Sequence, residues 1–338
     1  MKRIGILTGG GDCPGLNAAI RAAAKKGFQL GFEMIGIKDG WKGMLMAEAE
    51  ILTYDKVSGL LHKGGTILGS SRTNPAKIEN GLEKVVNNFK ELKLDALIVI
   101  GGEDTLGVAV KISKEVSVVG IPKTIDNDVG ETDFCIGFHT AVQTASDIID
   151  KIHPTAESHH RVIVLEVMGR HVGWIATYAG MAGGADFILI PEIPIDINDI
   201  CETIEKRVKK GRDFSIIVIA EGVKIEEKYI VKKGETDAFG HVILGGVGEI
   251  LAEIIKEKTK IETRAINLGH IVRGGSPTAF DRILATRFGV KAIELVSEKK
   301  FGRMAAINGS KIIDVPIEKA LEQKRIDKNL YETAKVFF

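Results

Sequence analysis

The sequence has 338 residues, enough for two or three packed units at roughly 100–200 residues each. Apolar side chains make up 44% and charged ones 27%, a globular profile that excludes a disordered chain. The 46 basic and 45 acidic side chains leave a formal charge of +1, so binding to nucleic acid has no special electrostatic support.

No aliphatic run approaches the ~20 residues a bilayer span needs. Met1-Lys2-Arg3 leads straight into strand-like Ile4–Thr8, with no leader pattern. Cys13, Cys135 and Cys201 form neither a disulfide framework nor a CxxC metal knuckle. The expectation is a cytoplasmic protein that engages neither membrane nor nucleic acid. Glycine stands out at 39 residues, well above the usual ~7%. It gathers in Gly9-Gly10-Gly11, Gly64-Gly65, Gly101-Gly102, Gly183-Gly184, Gly245-Gly246 and Gly274-Gly275. Such clusters let backbone approach a ligand closely, as in a phosphate or nucleotide cleft.

In chain order, aliphatic runs predict strands at 4–8, 33–37, 96–100, 116–120, 162–167, 187–191, 214–220 and 265–268. Helical patterns fall between and after them at 14–26, 104–113, 139–152, 172–181, 198–210, 247–258 and 279–299. Strands apolar throughout and separated by helices imply parallel sheets covered on both faces, the doubly wound α/β class. The stretch ending His153-Pro154 reads as the crossing between two such units. Ligands of open α/β sheets sit beyond the carboxyl ends of strands, so the loops there carry the functional argument.

Thr8-Gly9-Gly10-Gly11-Asp12-Cys13-Pro14-Gly15-Leu16-Asn17 joins a strand to a helix and offers backbone N–H groups to a phosphate. It lacks the Lys-Ser/Thr of a P-loop, and Pro14 stands where a dinucleotide fingerprint has its third glycine. A tight turn without a ligand is the alternative. In Gly101-Gly102-Glu103-Asp104 the two acids suit a hard divalent cation such as Mg²⁺, or equally the first turn of a helix. Lys123-Thr124-Ile125-Asp126-Asn127-Asp128 holds two carboxylates and a lysine. One aspartate suits a general base, the other a metal, and the lysine suits phosphoryl oxygens; a surface Asx turn is the bland reading. Arg161, Arg170, Arg264 and Arg273 are read at strand ends, where several arginines together point to an anionic substrate. With Arg72 and the glycine loops facing a donor, the sum is a phosphotransferase.

Taken in order, these motifs resemble the 6-phosphofructokinase family. Gly9-Gly10-Gly11-Asp12, Gly64-Gly65-Thr66, Gly101-Gly102-Glu103, Pro122–Asp128, Glu166–Arg170, Ala220-Glu221-Gly222 and Leu268–Pro277 carry the likeness, which runs from about residue 3 to 330. The resemblance implies two doubly wound, Rossmann-like parallel-sheet domains of the phosphofructokinase fold. It divides them as 1–138 with about 251–302 for the phosphoryl donor and metal, and 139–250 with about 303–338 for the sugar phosphate. Asp126 would take the proton from O1 of fructose 6-phosphate, assisted by Lys123. Gly11 and Arg72 would meet the donor, and Glu103 would ligate Mg²⁺ where the family usually has aspartate. Thr124, Ile125, Asp126, Met168, Gly169, Arg170, Glu221, His270 and Arg273 would bind the sugar phosphate. Arg161 and Arg264 match positions that reach it from a neighbouring subunit, implying a homodimer or homotetramer with shared sites.

Asp104 stands where the family's ATP users keep glycine, and Lys123 where many of them do. A carboxylate at 104 crowds and repels an α-phosphate, so the chain resembles the pyrophosphate-using branch, which works reversibly; the ATP-dependent enzyme is the alternative. Arg21 remains of the family's effector-binding arginines, while Tyr54 and His153 replace two others. Intact Asp126 argues against a silent sugar-phosphate sensor, and the failed dinucleotide fingerprint against an oxidoreductase.

Overall fold

The computed structural model describes residues 2–225, 246–336 and 338. Gly245, half of one glycine pair, lies outside them. The chain begins β1 (Arg3–Thr8), α1 (Leu16–Gln29), β2 (Glu33–Ile37), α2 (Trp41–Met46), β3 (Ala49–Ile51), α3 (Gly81–Glu91), β4 (Ala96–Gly101), α4 (Glu103–Ile112) and β5 (Val118–Pro122). It continues with α5 (Phe138–Ser158), β6 (Val162–Val167), α6 (Trp174–Ala182), β7 (Phe187–Leu189), α7 (Ile197–Lys209), β8 (Ser215–Ala220), α8 (Val247–Thr259) and β9 (Thr263–Asn267). It closes with α9 (Ala279–Ser297), β10 (Arg303–Asn308), β11 (Lys311–Pro316) and α10 (Lys328–Lys335).

The architecture is α/β, with two mainly parallel sheets in two compact units. The first unit holds residues 1–140 and 273–324, the second 141–272 and 325–338. The first sheet runs β11-β10-β5-β4-β1-β2-β3, parallel except for the antiparallel edge pairs β10–β11 and β2–β3. β1, β4 and β5 are apolar and almost wholly buried because helices cover both faces. Leu7, Leu97, Val99 and Val118 pack under Trp41, Val85, Phe89 and Leu106 of α2, α3 and α4. α1 and α9 cover the other face, pressed together along alanines and Gly289. The second sheet, β7-β8-β6-β9, is parallel throughout, with α6 and α8 packed on it.

Three expectations need correcting. The helix expected to stop at Ile152 continues through Pro154 to Ser158, and the change of unit falls at 140–141, near its start. The late exchange points also differ from those the resemblance implied. β9 pairs with β6, keeping 251–272 in the second unit, and β10 pairs with β5, drawing 303–324 into the first. Strand pairing decides this, and local pattern carries no pairing information. The hairpin β10–β11 and helix α3 were not anticipated, although the two-residue Gly309-Ser310 turn is a recognisable hairpin signal. Among the described residues no helix is long and apolar enough to cross a membrane.

Two helix starts in the first unit cap each other. Fully buried Asp281, in the first turn of α9, accepts hydrogen bonds from Gly137 N–H (2.9 Å), Thr140 N–H (2.8 Å) and Thr140 Oγ1 (2.5 Å) at the start of α5. Thr278 N–H returns a bond to Thr140 Oγ1 at 3.0 Å.

Packing of α1 on α9 yields a sign reversal. Replacing glycine by alanine inside a helix ordinarily stabilises by roughly 0.5–1 kcal/mol. At Gly289 an added Cβ would stand 2.6 Å from the Ala19 carbonyl oxygen and 2.9 Å from Ala23 N, backbone atoms that cannot swing aside. Gly289→Ala is therefore expected to destabilise by about 1–3 kcal/mol, the cost of overpacking. The urea unfolding midpoint against wild type measures it.

Candidate functional site

In the first unit the loops after β1, β4 and β5 lie side by side because those strands are parallel neighbours. Thr105 of α4 packs where side chains on Gly9 and Gly101 would be, so both positions need glycine. Lys123 follows β5 and is 3% exposed. Its Nζ donates to the carbonyls of Gly9 (2.9 Å) and Gly11 (2.5 Å), tying the loop after β5 to the glycine loop. Burial depresses the Lys123 ammonium below the usual lysine range; Arg273 adds to this, while Cys13, Asp12 and Asp126 oppose it. Cys13, inside the same loop, is pushed up to about 12, chiefly by burial, and stays a protonated thiol rather than a nucleophile.

Arg273 belongs to this cluster. Its Nη1 donates to the Asp12 carbonyl at 3.3 Å, and its guanidinium covers Gly11, where a Cβ would come within 2.6 Å of Nη1. Arg72 is exposed beside the same loop, since Gly10 N–H donates to Ser71 O (3.0 Å) and Ser70 Oγ to Gly10 O (2.5 Å).

The loop after β5 is shaped by Asn127, fully buried and left-handed at φ 54°. Its side chain donates to Asp133 O (3.1 Å) and accepts from Cys135 N–H (2.9 Å). Neighbouring Asp126 is half-buried, and its N–H donates to Thr124 Oγ1 at 3.1 Å. Ile125 is fully buried, so only its backbone is available to a ligand. Glu103 and Asp104 are exposed in the first turn of α4. Desolvation of its carboxylate by the surrounding protein, then the charges of Asp128 and Asp104, hold Glu103 above the ordinary glutamate range. Among the described residues no three His, Cys, Asp or Glu cluster as a self-sufficient metal site. Mg²⁺ commonly takes one or two protein carboxylates and completes its shell with phosphate and water, so crowded Glu103 suits it.

In the second unit the loops after β6 and β8 are zipped together. Glu221 N–H donates to Val167 O (2.9 Å) and Gly222 N–H to Gly169 O (3.1 Å). Gly169 takes φ 148°, and a Cβ there would stand 2.7 Å from Val172 O. Met168, Gly169, Arg170 and Glu221 therefore share one end of the sheet, and exposed His270 follows β9 at that same end.

Arg161 and Arg264 do not join them. Arg161 precedes β6, and Arg264 is the second residue of β9, paired with Ile163. Both sit at the strand starts, at the opposite end of the sheet from Arg170. One carboxylate holds the pair: Glu262 Oε2 to Arg161 Nε at 3.0 Å and Oε1 to Arg264 Nη2 at 2.8 Å. The sequence reading of four arginines at strand ends thus divides three ways.

With this geometry in view, the Phosphofructokinase family profile matches residues 3–296. The chain belongs to the phosphofructokinase family. It is 52% identical over 99% of both chains to a pyrophosphate–fructose 6-phosphate 1-phosphotransferase of Amycolatopsis methanolica. It is 45% identical, again over 99% of both, to an ATP-dependent 6-phosphofructokinase of Corynebacterium efficiens. The crystal structure of Pichia pastoris phosphofructokinase in the T-state superposes with a TM-score of 0.84 at 33% identity. That match covers 95% of this chain and 35% of the yeast chain.

Several residues that hold these loops, strands and helix starts in place escaped the sequence reading. Glu262 stands two residues before Arg264, on the same face of an extended segment, a spacing that was available. Asp281 follows Thr278 by three, a capping-box spacing, yet its carboxylate serves another helix. Glu166, quoted only as part of a motif, is a buried cap that accepts Gly248 N–H (2.8 Å) and Asn267 Nδ2 (2.8 Å).

The acid cluster predicts a titration. Since Asp128 raises Glu103 by like-charge repulsion, Asp128→Asn should lower the Glu103 pKa toward that of an ordinary glutamate. Carbon-detected NMR of the carboxyl groups against pH, in both proteins without divalent cation, measures it.

Proposed function

We propose that this phosphofructokinase transfers a phosphoryl group from pyrophosphate to O1 of fructose 6-phosphate, reversibly, giving fructose 1,6-bisphosphate and phosphate. Asp104 carries the reading. It is an exposed carboxylate in the first turn of α4, two residues after Gly102 and next to Glu103. A donor ending at its second phosphoryl group escapes this charge, whereas ATP extends an α-phosphate and nucleoside past it. The names borne by the relatives at higher identity point the same way.

In this reading the first unit serves the donor and metal, and the second unit the sugar phosphate. Gly11 and Arg72 receive pyrophosphate, and the Gly11 backbone is held in place by Lys123. Glu103 would hold Mg²⁺, which when bound would neutralise charge on the phosphoryl oxygens. Asp126, half-buried on the loop after β5, removes the O1 proton as O1 attacks phosphorus in line. Lys123, with two N–H groups already given to carbonyls, acts on the transferred group through its positive charge. Thr124, the Ile125 backbone and Arg273 supply the remaining first-unit contacts to the sugar phosphate. Met168, Gly169, Arg170, Glu221 and His270 supply those of the second.

Arg161 and Arg264 serve a neighbouring subunit. Their place at the strand starts, away from Arg170, supports this reading, in which the protein is a homodimer or homotetramer with shared sites. Its three cysteines are all free and buried, in keeping with a reducing cytoplasm.

Turnover of fructose 6-phosphate with pyrophosphate and with ATP, side by side at fixed Mg²⁺, tests the assignment; a wild-type preference for ATP overturns it. Asp104→Gly should raise kcat/KM for ATP and lower it for pyrophosphate. Asp126→Asn should cut kcat by about 10²–10⁴ while sugar-phosphate binding survives within a few-fold. Mixing inactive Asp126→Asn and Arg264→Ala chains should restore some activity, because hybrids contain sites free of both lesions. Absence of recovery in hybrids confirmed by mass spectrometry would remove the shared site.

A further inference from the structure

We infer that Asn17 is a positioning residue for pyrophosphate. It rests on the reading that Gly11 and Arg72 receive the donor. Asn17 is the second residue of α1 and only 2% exposed. Its Nδ2 donates to Lys63 O (3.2 Å) and Gly64 O (3.0 Å), and its Oδ1 accepts Ile67 N–H at 2.8 Å. Both amide hydrogens are used on backbone groups about 50 residues away, so the side chain has no donor left for an anionic substrate. Its work is done on the 63–72 segment.

The segment then runs a short, closely held course to Arg72. Thr8 Oγ1 donates to Gly69 O at 2.8 Å, so at the 3.0 Å contact between hydroxyls it is Thr66 that donates to Thr8. Thr66 Oγ1 in turn accepts Leu68 N–H at 3.2 Å. Ser70 and Ser71 exchange bonds with Gly10, and Ser71 Oγ donates to Asp39 O at 2.7 Å. Arg72 follows directly. At the other end Gly64 lies flat on the Gly275 backbone, with no room for a Cβ, two residues from the Arg273 whose guanidinium covers Gly11. Asn17 thus anchors one loop that sets Arg72 and abuts the loop that bears Arg273.

The test is steady-state kinetics of the full-length enzyme with Mg²⁺, varying each substrate in turn. Asn17→Asp keeps the acceptor but turns a carboxylate toward two carbonyl oxygens, and Asn17→Leu removes every bond. Both should raise the pyrophosphate KM about tenfold, the worth of one net hydrogen bond on a held loop. The fructose 6-phosphate KM and kcat should stay within about threefold of wild type. Thr66→Val, which loosens the same loop from the β1 side, should act in the same direction and keeps the test open if the Asn17 variants do not fold. Arg72→Ala is the reference. If it raises the pyrophosphate KM while no folded loop variant does, the inference falls. It falls also if the loop variants raise both KM values equally, the mark of general loosening. If Arg72→Ala itself leaves pyrophosphate kinetics unchanged, the donor reading beneath the inference fails instead.

Discussion

The first unit turns on one buried ammonium. Lys123 leaves the end of β5 and gives its hydrogens to the carbonyls of Gly9 and Gly11. Charge-assisted bonds of this kind contribute about 1.5–3 kcal/mol each, and a lysine buried without them would cost more than they return. The glycine loop and the loop bearing Asp126 are therefore held in one arrangement or lost together. Other features follow from that tie. Gly9 and Gly101 can lie against Thr105 because the loops are drawn close, and the guanidinium of Arg273 comes to rest on Gly11. Cys13 is sealed under the loop as a thiol with no access to chemistry.

The second unit solves a similar problem with backbone. Loops after β6 and β8 bond to one another through Glu221 and Gly222, and Glu166 caps α8 from within the sheet. The opposite end of that sheet carries a different device. Arg161 and Arg264 converge on Glu262, so two cations are kept apart by a shared anion on an exposed surface. Such a triad adds little stability in water.

Much of this was legible beforehand. Strands β1, β2, β4, β6 and β8, and helices α1, α4, α6 and α8, stand within a few residues of their expected places. Apolar runs buried on both sides announce themselves without tertiary help. The glycine and acid motifs could be read because a phosphate-handling loop needs particular residue types at particular spacings. Asn17 stood inside one of those motifs, yet its use was hidden: its partners at 63, 64 and 67 are remote in sequence.

The sequence by itself determined the α/β class, the family, and which loops bear the acids, glycines and arginines. These depend on local apolar period and on residue types in fixed order, both written along the chain. Tertiary structure decided the rest: that β9 joins β6 while β10 joins β5, that Arg161 and Arg264 stand at the strand starts, and that Lys123 spends its hydrogens on two glycine carbonyls. Each of these depends on which strands become neighbours and in what register. That choice is made by burying whole apolar faces at once, and no single segment encodes it.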